Sequence, residues 1–300
     1  MPATPLLKRI KMATVSVPDL DEAAAQYKQW LGYTAVEKGK ISAAHAALWG
    51  TPAMAGRRYA VMRPASKADV YIRAVEIDRV ANYLALTTWG WGAVEIIADN
   101  PIKLHDKMGK SPFHIIGKPR FLNGYPTICA FQVRGPGNEV LYLTADTGNP
   151  GTGLLPKAGA TVGRPFIMVL ASGHAEKVRN WYCDTFKMKR NPINGNPVDI
   201  IQHAQGLGPD HPFPLTIAAL AEHGNLIEMD GYPAGTGPRQ RNHGQLPPGV
   251  AMTSFGVKSL DALKLDWLSA PGEMKGEGYE GRRSACFVGP AGELTELIEE

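Results

Sequence analysis

The sequence predicts an α+β protein built from four copies of one small βαβββ unit, each with a strand, a helix and several antiparallel strands. Two observations lead to this fold class. The same order of elements recurs four times, and Gly/Pro-rich stretches at 147–163 and 231–249 separate copies of it. Single strands and helices do not simply alternate, and the chain has no GxGxxG or P-loop motif, so a Rossmann-type sheet is disfavoured.

The first half of the chain accounts for two of the units. Unit one opens with the alternating strand IKMATVSV, and its helix DEAAAQYKQWL can be capped by Asp19 or Asp21 and ended by Gly32. Unit two has the strand AVEIIA, a short helix capped by Asn100, and the closing strands TICAFQV and EVLYLTA. We place the two units at about 8–78 and 88–147.

The second half repeats this order after a linker at 148–163. Unit three has PFIMVLA, the helix AEKVRNWYCDTF, and the predicted strands VDIIQHA, LTIAALA and NLIEMD. Unit four has VAMTSFGV, a predicted helix LDALKLDWL, and the strands SACFVG and ELTELIEE. We place these units at about 164–231 and 249–300, which gives an N-terminal pair over 1–147 and a C-terminal pair over 164–300.

The composition is that of a folded globular protein, with 44% hydrophobic and 20% charged residues. The formal net charge of +4 is small and the basic residues are dispersed, which argues against a nucleic-acid partner. No apolar stretch reaches the roughly 18 residues needed to cross a bilayer, so no membrane partner is expected. The three cysteines lie far apart in apolar segments, and we expect reduced thiols in a cytoplasmic protein.

Three units close with a Gly-containing turn followed by a strand that carries an acidic or polar residue. These segments are GPGNEVLYL, GNLIEM and GPAGELTELIE, and the chain opens with VSVPDLDEAAAQYKQWLGY. In this order the segments resemble the vicinal oxygen chelate superfamily, which includes the glyoxalase, bleomycin-resistance and extradiol-dioxygenase proteins. The resemblance implies the two-domain, four-unit type, with units paired into two cupped mixed β-sheet domains.

The resemblance also implies where a metal would be bound. In that superfamily a divalent cation lies in the cup, with ligands from the first strands, usually His or Gln, and from the last strands, usually Glu. Alignment of the turns places Glu228 and Glu296 on the last strands of units three and four, whereas Arg73 and Tyr142 occupy the corresponding places in units one and two.

The first-strand positions lack normal ligands in this alignment, because they fall on Met12, about Gly92, Ile167 and Met252. His203, in the predicted strand VDIIQHA, is the best side chain to complete the set. The expected site is therefore Glu228, Glu296 and His203, an incomplete set for Fe, Mn or Zn, in which the same residues are the candidate catalytic groups.

The loop between units three and four carries Arg239, Arg241 and His243. Such loops can cover a cup, and arginines can bind a substrate carboxylate or phenolate, so these residues join Tyr142 and Arg73 as substrate-binding candidates. The alternative is a solvated linker, which the many Gly and Pro residues favour.

These features predict an enzyme that acts on an aromatic or oxygenated small molecule in the C-terminal cup. The reaction would be a metal-assisted lyase, isomerase or dioxygenase reaction. Two alternatives stay open: a metal-free protein that sequesters a small molecule, favoured by the missing ligands, and a degenerate scaffold subunit. Association into a homodimer is compatible with the resemblance.

Overall fold

The structure is a computed structural model that describes residues 4–148, 151, 153 and 155–300. Residues 149, 150, 152 and 154 of the predicted linker lie outside the described residues. Unit one contains β1 Leu7–Val17, α1 Leu20–Gln26, β2 Thr34–Lys40, α2 Ala43–Leu48, β3 Arg58–Arg63 and β4 Tyr71–Glu76. A π-helical turn extends α1 to Leu31, and Gly32 ends it in the left-handed conformation, as predicted.

Unit two contains β5 Thr88–Ala98, α3 Pro101–Met108, β6 His114–Leu122, β7 Tyr125–Arg134 and β8 Val140–Asp146. Unit three contains β9 Val162–Ser172, α4 Ala175–Phe186, β10 Asn194–Pro197, α5 Asp199–Gln205, β11 Pro212–Ala219 and β12 Leu226–Gly231. The two-residue strand β13 Gly237–Pro238 follows, and unit four contains β14 Gly249–Val257, β15 Gly272–Glu273, β16 Arg283–Val288 and β17 Leu294–Glu299.

Two predicted elements differ from the structure. The segment VDIIQHA forms α5 instead of a strand, with Asp199 in its first turn and Gly206 ending it in the left-handed conformation. The segment LDALKLDWL forms turns instead of a helix, although Leu260 and Leu263 are buried as a core face requires. In both segments a short apolar pattern was compatible with more than one backbone conformation.

The strands form two curled mixed sheets. Sheet I has the order β15-β16-β17-β14-β1-β4-β3-β2, and sheet II has the order β10-β11-β12-β9-β5-β8-β7-β6. The α+β class and the pairing of units into two sheets are confirmed. The predicted pairing of neighbouring units within each half of the chain is wrong, because sheet I joins units one and four and sheet II joins units two and three.

The strand register explains this arrangement. Within each unit the last strand lies parallel beside the first, as β4 lies beside β1 and β17 beside β14. The central contacts are antiparallel pairs between first strands of different units, β1 with β14 and β5 with β9. β9 follows unit two closely in the sequence and pairs with β5. The edge of β1 that does not pair with β4 therefore pairs with β14. We call the concave faces of sheets I and II cup I and cup II.

The faces opposite the cups share one apolar core. This core contains side chains from both sheets together with helical residues, among them Tyr27, Val94, Leu170, Tyr182 and Phe255. In the described part of the chain, no helix has both the length and the apolar character needed to span a membrane.

Two buried tyrosine–glutamate hydrogen bonds cross between the sheets. The hydroxyl of Tyr27, just after α1 in unit one, donates to Glu139 before β8 in unit two over 2.7 Å. The hydroxyl of Tyr182, in α4 of unit three, donates to Glu293 before β17 in unit four, also over 2.7 Å. The same contact therefore occurs twice, and each copy joins a helix of one sheet to a turn of the other.

The Gly-containing turn before each of these glutamates binds its carboxylate. Backbone N–H groups of Gly137 and Ala291 donate to the second carboxylate oxygens of Glu139 and Glu293. A Cβ added at Gly135 or Gly289 would overlap the carboxylate that the turn encloses. Two of the three turn segments on which the sequence resemblance depends, GPGNEVLYL and GPAGELTELIE, are thus carboxylate-binding turns between the sheets.

Removing either tyrosine hydroxyl should destabilise the fold. Tyr27→Phe and Tyr182→Phe leave one oxygen of a buried carboxyl without its donor, and each should lower the free energy of unfolding by about 1–3 kcal/mol. The measurement is urea unfolding, with Tyr125→Phe as the matched control because Tyr125 is exposed. Equal stabilities for Tyr27→Phe and the control would contradict this role.

Stability should also fall as the pH rises through neutrality. Burial raises the pKa of Glu139 and of Glu293 to about 7, so the folded state holds protons that the unfolded state releases near pH 4.5. Their contribution is present below about pH 4.5 and is lost as the pH rises through about 7. Glu139→Gln, which mimics the protonated form, should narrow the difference in Tm between pH 5 and pH 8. The exposed Glu176→Gln should leave that difference unchanged.

Candidate functional site

The two predicted glutamates lie in different sheets. Glu228 is on β12 of sheet II and Glu296 is on β17 of sheet I, so they do not meet in one cup. The prediction that both lie in a C-terminal cup is therefore wrong, and its cause is the pairing of units described above. The predicted substrate-binding residues Arg73 and Tyr142 also lie in different sheets. Arg73 faces Glu296 in sheet I, whereas Tyr142 lies in sheet II with Glu228.

Cup I contains a buried ion pair at its centre. A guanidinium nitrogen of Arg73 lies 3.2 Å from Glu296, which is fully buried. Glu296 also accepts hydrogen bonds from Trp49 (3.0 Å), Tyr279 (2.8 Å) and Ser254 (2.5 Å). Burial alone would raise the pKa of Glu296, but the Arg73 charge and these donors lower it. The carboxylate is therefore charged and fully compensated.

Hydrogen bonds and a ring contact also fix the side chain of Arg73. It donates to Thr14 from two nitrogens, at 2.9 and 3.0 Å, and to the hydroxyl of Tyr279. Its guanidinium lies 4.5 Å from the ring centre of Trp49, a cation–π distance. The gap left beside this network has a volume of about 10 Å³, room for one water at most. Cup I is filled by its own side chains, which rules against a substrate-binding role for Arg73.

Cup II contains three carboxyl groups instead. Glu95 on β5 and Asp230 on β12 are buried, and Glu228 on β12 is only partly exposed. Among the described residues, no Lys or Arg forms an ion pair with any of these three groups. The surrounding side chains are mostly apolar, among them Ala93, Val169, Ile201 and Phe213.

The three carboxyl groups influence one another's protonation. Burial raises the pKa of Glu95 and of Asp230 to about 7. Burial, followed by the nearby charges of Asp230 and Glu95, raises the pKa of Glu228 well above its usual range. Near neutral pH the cluster therefore contains carboxyl groups that can give protons and carboxylates that can accept them.

Several buried polar atoms of cup II lack a fixed hydrogen-bond donor or acceptor in the described residues. These atoms are both carboxylate oxygens of Asp230 and the hydroxyl oxygens of Tyr142 and Tyr232. Glu95, in contrast, accepts a hydrogen bond from Thr144. Buried polar groups are normally paired, so these atoms make cup II a candidate for binding something polar. Unpaired buried atoms also occur elsewhere, among them Nε2 of His45 beside cup I.

A large surface cleft begins where β12 ends. The cleft has a volume of about 1160 Å³, and its walls include the N-terminal turn of α4, Pro214, Gly231 and Tyr232. Gly231 and Tyr232 directly follow Asp230, and the Asp230 charge acts on the Tyr232 hydroxyl. The cleft thus touches the segment that follows Asp230, and its volume is of the size that small molecules require, but its lining does not include Glu95, Glu228 or Asp230.

The other predicted site residues lie elsewhere. His203 is exposed on α5, so the prediction of a strand histidine that completes a metal site is wrong. Arg239 donates to the backbone carbonyls of Trp91, Pro248 and Val250, and thereby fixes the loop to β5 and β14 instead of offering its charge to a ligand. Arg241 and His243 are exposed. They flank Asn242, whose side-chain amide donates a hydrogen bond to the backbone carbonyl of Asp78 in unit one.

The register also corrects the predicted first-strand positions. Beside the last-strand residues Arg73, Tyr142, Glu228 and Glu296 lie Thr14, Glu95, Val169 and Ser254, respectively. The predicted residues Met12, Gly92, Ile167 and Met252 lie two or three places earlier. Glu95 and Asp230 were missed, although each is an acidic residue in an otherwise apolar strand, the criterion that identified Glu228.

The Arg73–Glu296 pair should behave as a structural unit. Arg73→Met leaves an uncompensated buried carboxylate and should cost about 3–5 kcal/mol of unfolding free energy. The double variant Arg73→Met/Glu296→Gln should recover most of this loss in urea unfolding. Arg120→Met is the control, since Arg120 is exposed and its ion pair should contribute at most about 1 kcal/mol. A double variant no more stable than Arg73→Met would contradict the pairing.

Neither a protein-family model nor a curated protein sequence matches the chain. Solved structures do resemble it. Glyoxalase I from Zea mays superposes with a TM-score of 0.62 at 16% identity, covering 97% of this chain and 92% of that one, and a point mutant of the same protein gives 0.64. A candidate dioxygenase from Bacillus subtilis gives 0.61 at 13% identity, covering 99% and 86%. The chain therefore shares the overall fold of glyoxalase I and of the candidate dioxygenase.

Proposed function

We propose that the chain is a small-molecule enzyme of the glyoxalase and dioxygenase type, with its reaction centre in cup II. The observation that carries this proposal is the cluster of Glu95, Glu228 and Asp230, which are enclosed by apolar side chains and lack a cationic partner among the described residues. Such a cluster destabilises a fold, so its presence is best explained by function. The site lies between units two and three, not in the C-terminal half.

A divalent metal fits this site only in part. Carboxylate and phenol oxygens suit Mn²⁺ better than Zn²⁺, and Asp230 has no cationic partner in the described residues. However, the position beside Glu228 is Val169, and in the described residues no three His, Cys, Asp or Glu side chains are arranged to hold a metal. Cup I fits no metal, because Arg73 already neutralises Glu296. We therefore derive the chemistry from the acids themselves.

The acids can perform proton transfer in both directions. In a 2-hydroxyketone, a carboxylate of the cluster would remove the C–H proton of the hydroxyl-bearing carbon, while a neighbouring protonated carboxyl gives a proton to the carbonyl oxygen, which forms an enediol. Loss of the proton from the other hydroxyl, with return of a proton to the former carbonyl carbon, would complete an isomerisation without an oxidant. General acid–base catalysis of this kind is most effective when the pKa values lie near the working pH, as for Glu95 and Asp230 at about 7.

A second candidate is metal-free sequestration of a small molecule. Val169 and the apolar lining of cup II favour it, since they provide contact area without chemistry. In either case the partner is a small molecule. A cytoplasmic location and a homodimer remain part of the proposal.

Proton exchange distinguishes these functions without knowledge of the natural substrate. Protein purified without chelator is incubated in D₂O with a panel of 2-hydroxyketones, 2-oxoacids and catechols, and loss of C–H signals is followed by ¹H NMR. We expect exchange in at least one compound, and Glu228→Gln should slow it by about 10²–10⁴-fold. Asp106→Asn is the control, because Asp106 is exposed on α3.

Three results would contradict the acid–base proposal. Exchange that disappears with a chelator, together with near-stoichiometric metal, would transfer the chemistry to a cation. Saturable binding without any exchange would favour sequestration. Equal rates in wild type and Glu228→Gln would remove cup II from the reaction.

A further inference from the structure

The two cups are copies of one arrangement, which makes cup I an internal reference for cup II. Arg73 and Tyr142 occupy the same place in their units, on the last strand beside Thr14 and Glu95, respectively. Glu296 and Glu228 likewise correspond, beside Ser254 and Val169. The place that holds a cation in cup I therefore holds a neutral phenol in cup II.

Cup II keeps its carboxyl groups although Tyr142 stands where cup I has its cation. Glu228 remains at the place of Glu296, and Asp230 and Glu95 add two more carboxyl groups. In cup I the carboxylate meets a guanidinium and three neutral donors, whereas in the described residues Asp230 has no cationic partner and shares a hydrogen bond with the carboxyl group of Glu228. An incoming cation could take the place of the proton that these two carboxyl groups share.

Small residues lie beside Asp230 on the adjacent strands. Its neighbour on β9 is Ala171, and beside the Ala171 side chain lies Gly92 of β5, next to the Tyr232 hydroxyl. The hydroxyls of Tyr142 and Tyr232, also without partners, lie on the same concave face, and both are less than 8% exposed.

We infer that cup II binds an organic cation, an amine or guanidine on an apolar stem, whose charge takes the role that the Arg73 guanidinium has in cup I. The carboxylates of Asp230 and Glu228 would accept its hydrogen bonds. The rings of Tyr142 and Tyr232 would flank it as Trp49 and Tyr279 flank Arg73, at 4.5 and 5.8 Å. This inference rests on the proposed function and names the class of its substrate.

A ligand series with one common phenylethyl stem and different end groups tests the charge directly. The probes are 2-phenylethylguanidine, 2-phenylethylamine, 2-phenylethanol and 3-phenylpropionate, with binding measured by calorimetry at pH 7.5. We expect each cation to bind at least about 10-fold more tightly than the alcohol, or about 1.4 kcal/mol, and the carboxylate to bind most weakly. Asp230→Asn should reduce this preference to less than about 3-fold. The exposed Asp106→Asn should retain it.

A second variant places a cationic side chain of the protein itself in cup II. Tyr142→Arg recreates in cup II the arginine that cup I already has, so it should abolish binding of the cationic probes and raise the Tm. Tyr125→Arg, at an exposed position, is the matched control and should change neither property. Circular dichroism of both variants confirms that they are folded.

The inference is overturned if the alcohol binds as tightly as the cations, or if Tyr142→Arg binds the cations like wild type. Competition by millimolar Mn²⁺ that is lost in Asp230→Asn would also overturn it, in favour of an inorganic cation. These failures leave the proposed function intact as long as Glu228→Gln still slows C–H exchange. Loss of that effect would instead refute the proposed function.

Discussion

Burying a carboxyl group away from water costs several kcal/mol unless a donor or a cation compensates it, and this constraint acts at the key positions of the fold. Between the sheets, Glu139 and Glu293 are each compensated by a tyrosine hydroxyl and a backbone N–H of their own turn. In cup I, Glu296 is compensated by a guanidinium and three further donors. In cup II three carboxyl groups lie together without a cationic partner among the described residues, and we place the chemistry there.

The contrast between the cups shows how one arrangement can become either core or site. In cup I, α2 and the loop around Tyr279 contribute Trp49 and the tyrosine itself, which close the space over the ion pair. In cup II, the corresponding helix α5 contributes aliphatic contacts through Ile200 and Ile201 and gives no donor to the acids. A filled cup stabilises the molecule, whereas an acidic cup with apolar walls has capacity for a ligand.

The fold class was predictable because it depends on local patterns. Alternating strands, a helix ended by Gly32 and carboxylate-binding turns each appear within a few residues, and their repetition identifies the units. The choice of partner between units was not predictable, because β1 could pair with any first strand of similar apolar character. Because the units were paired wrongly, Glu228 and Glu296 were predicted to lie together, and the actual neighbours of each were not identified.

The site was predictable in part for the same reason. The presence of an acidic residue in an apolar strand singled out Glu228, which lies on the concave face of sheet II, and the same reasoning would have included Glu95 and Asp230. His203 was placed wrongly because seven residues with two adjacent isoleucines do not distinguish a strand from a short helix. The role of Arg73 required the register, since its partner is distant in sequence.

The nested order of the sheets has a consequence for how the chain is made. Sheet II is closed by β5 and β9, with partners such as Glu95 and Ile167, whereas sheet I joins Leu7 to Val257. During synthesis the inner sheet can assemble as soon as unit three has emerged, but unit one must wait with an unpaired strand edge until the last unit arrives. Exposed edges invite pairing with other chains. The early-made N-terminal quarter is thus the part of the nascent polypeptide most in need of protection by a chaperone.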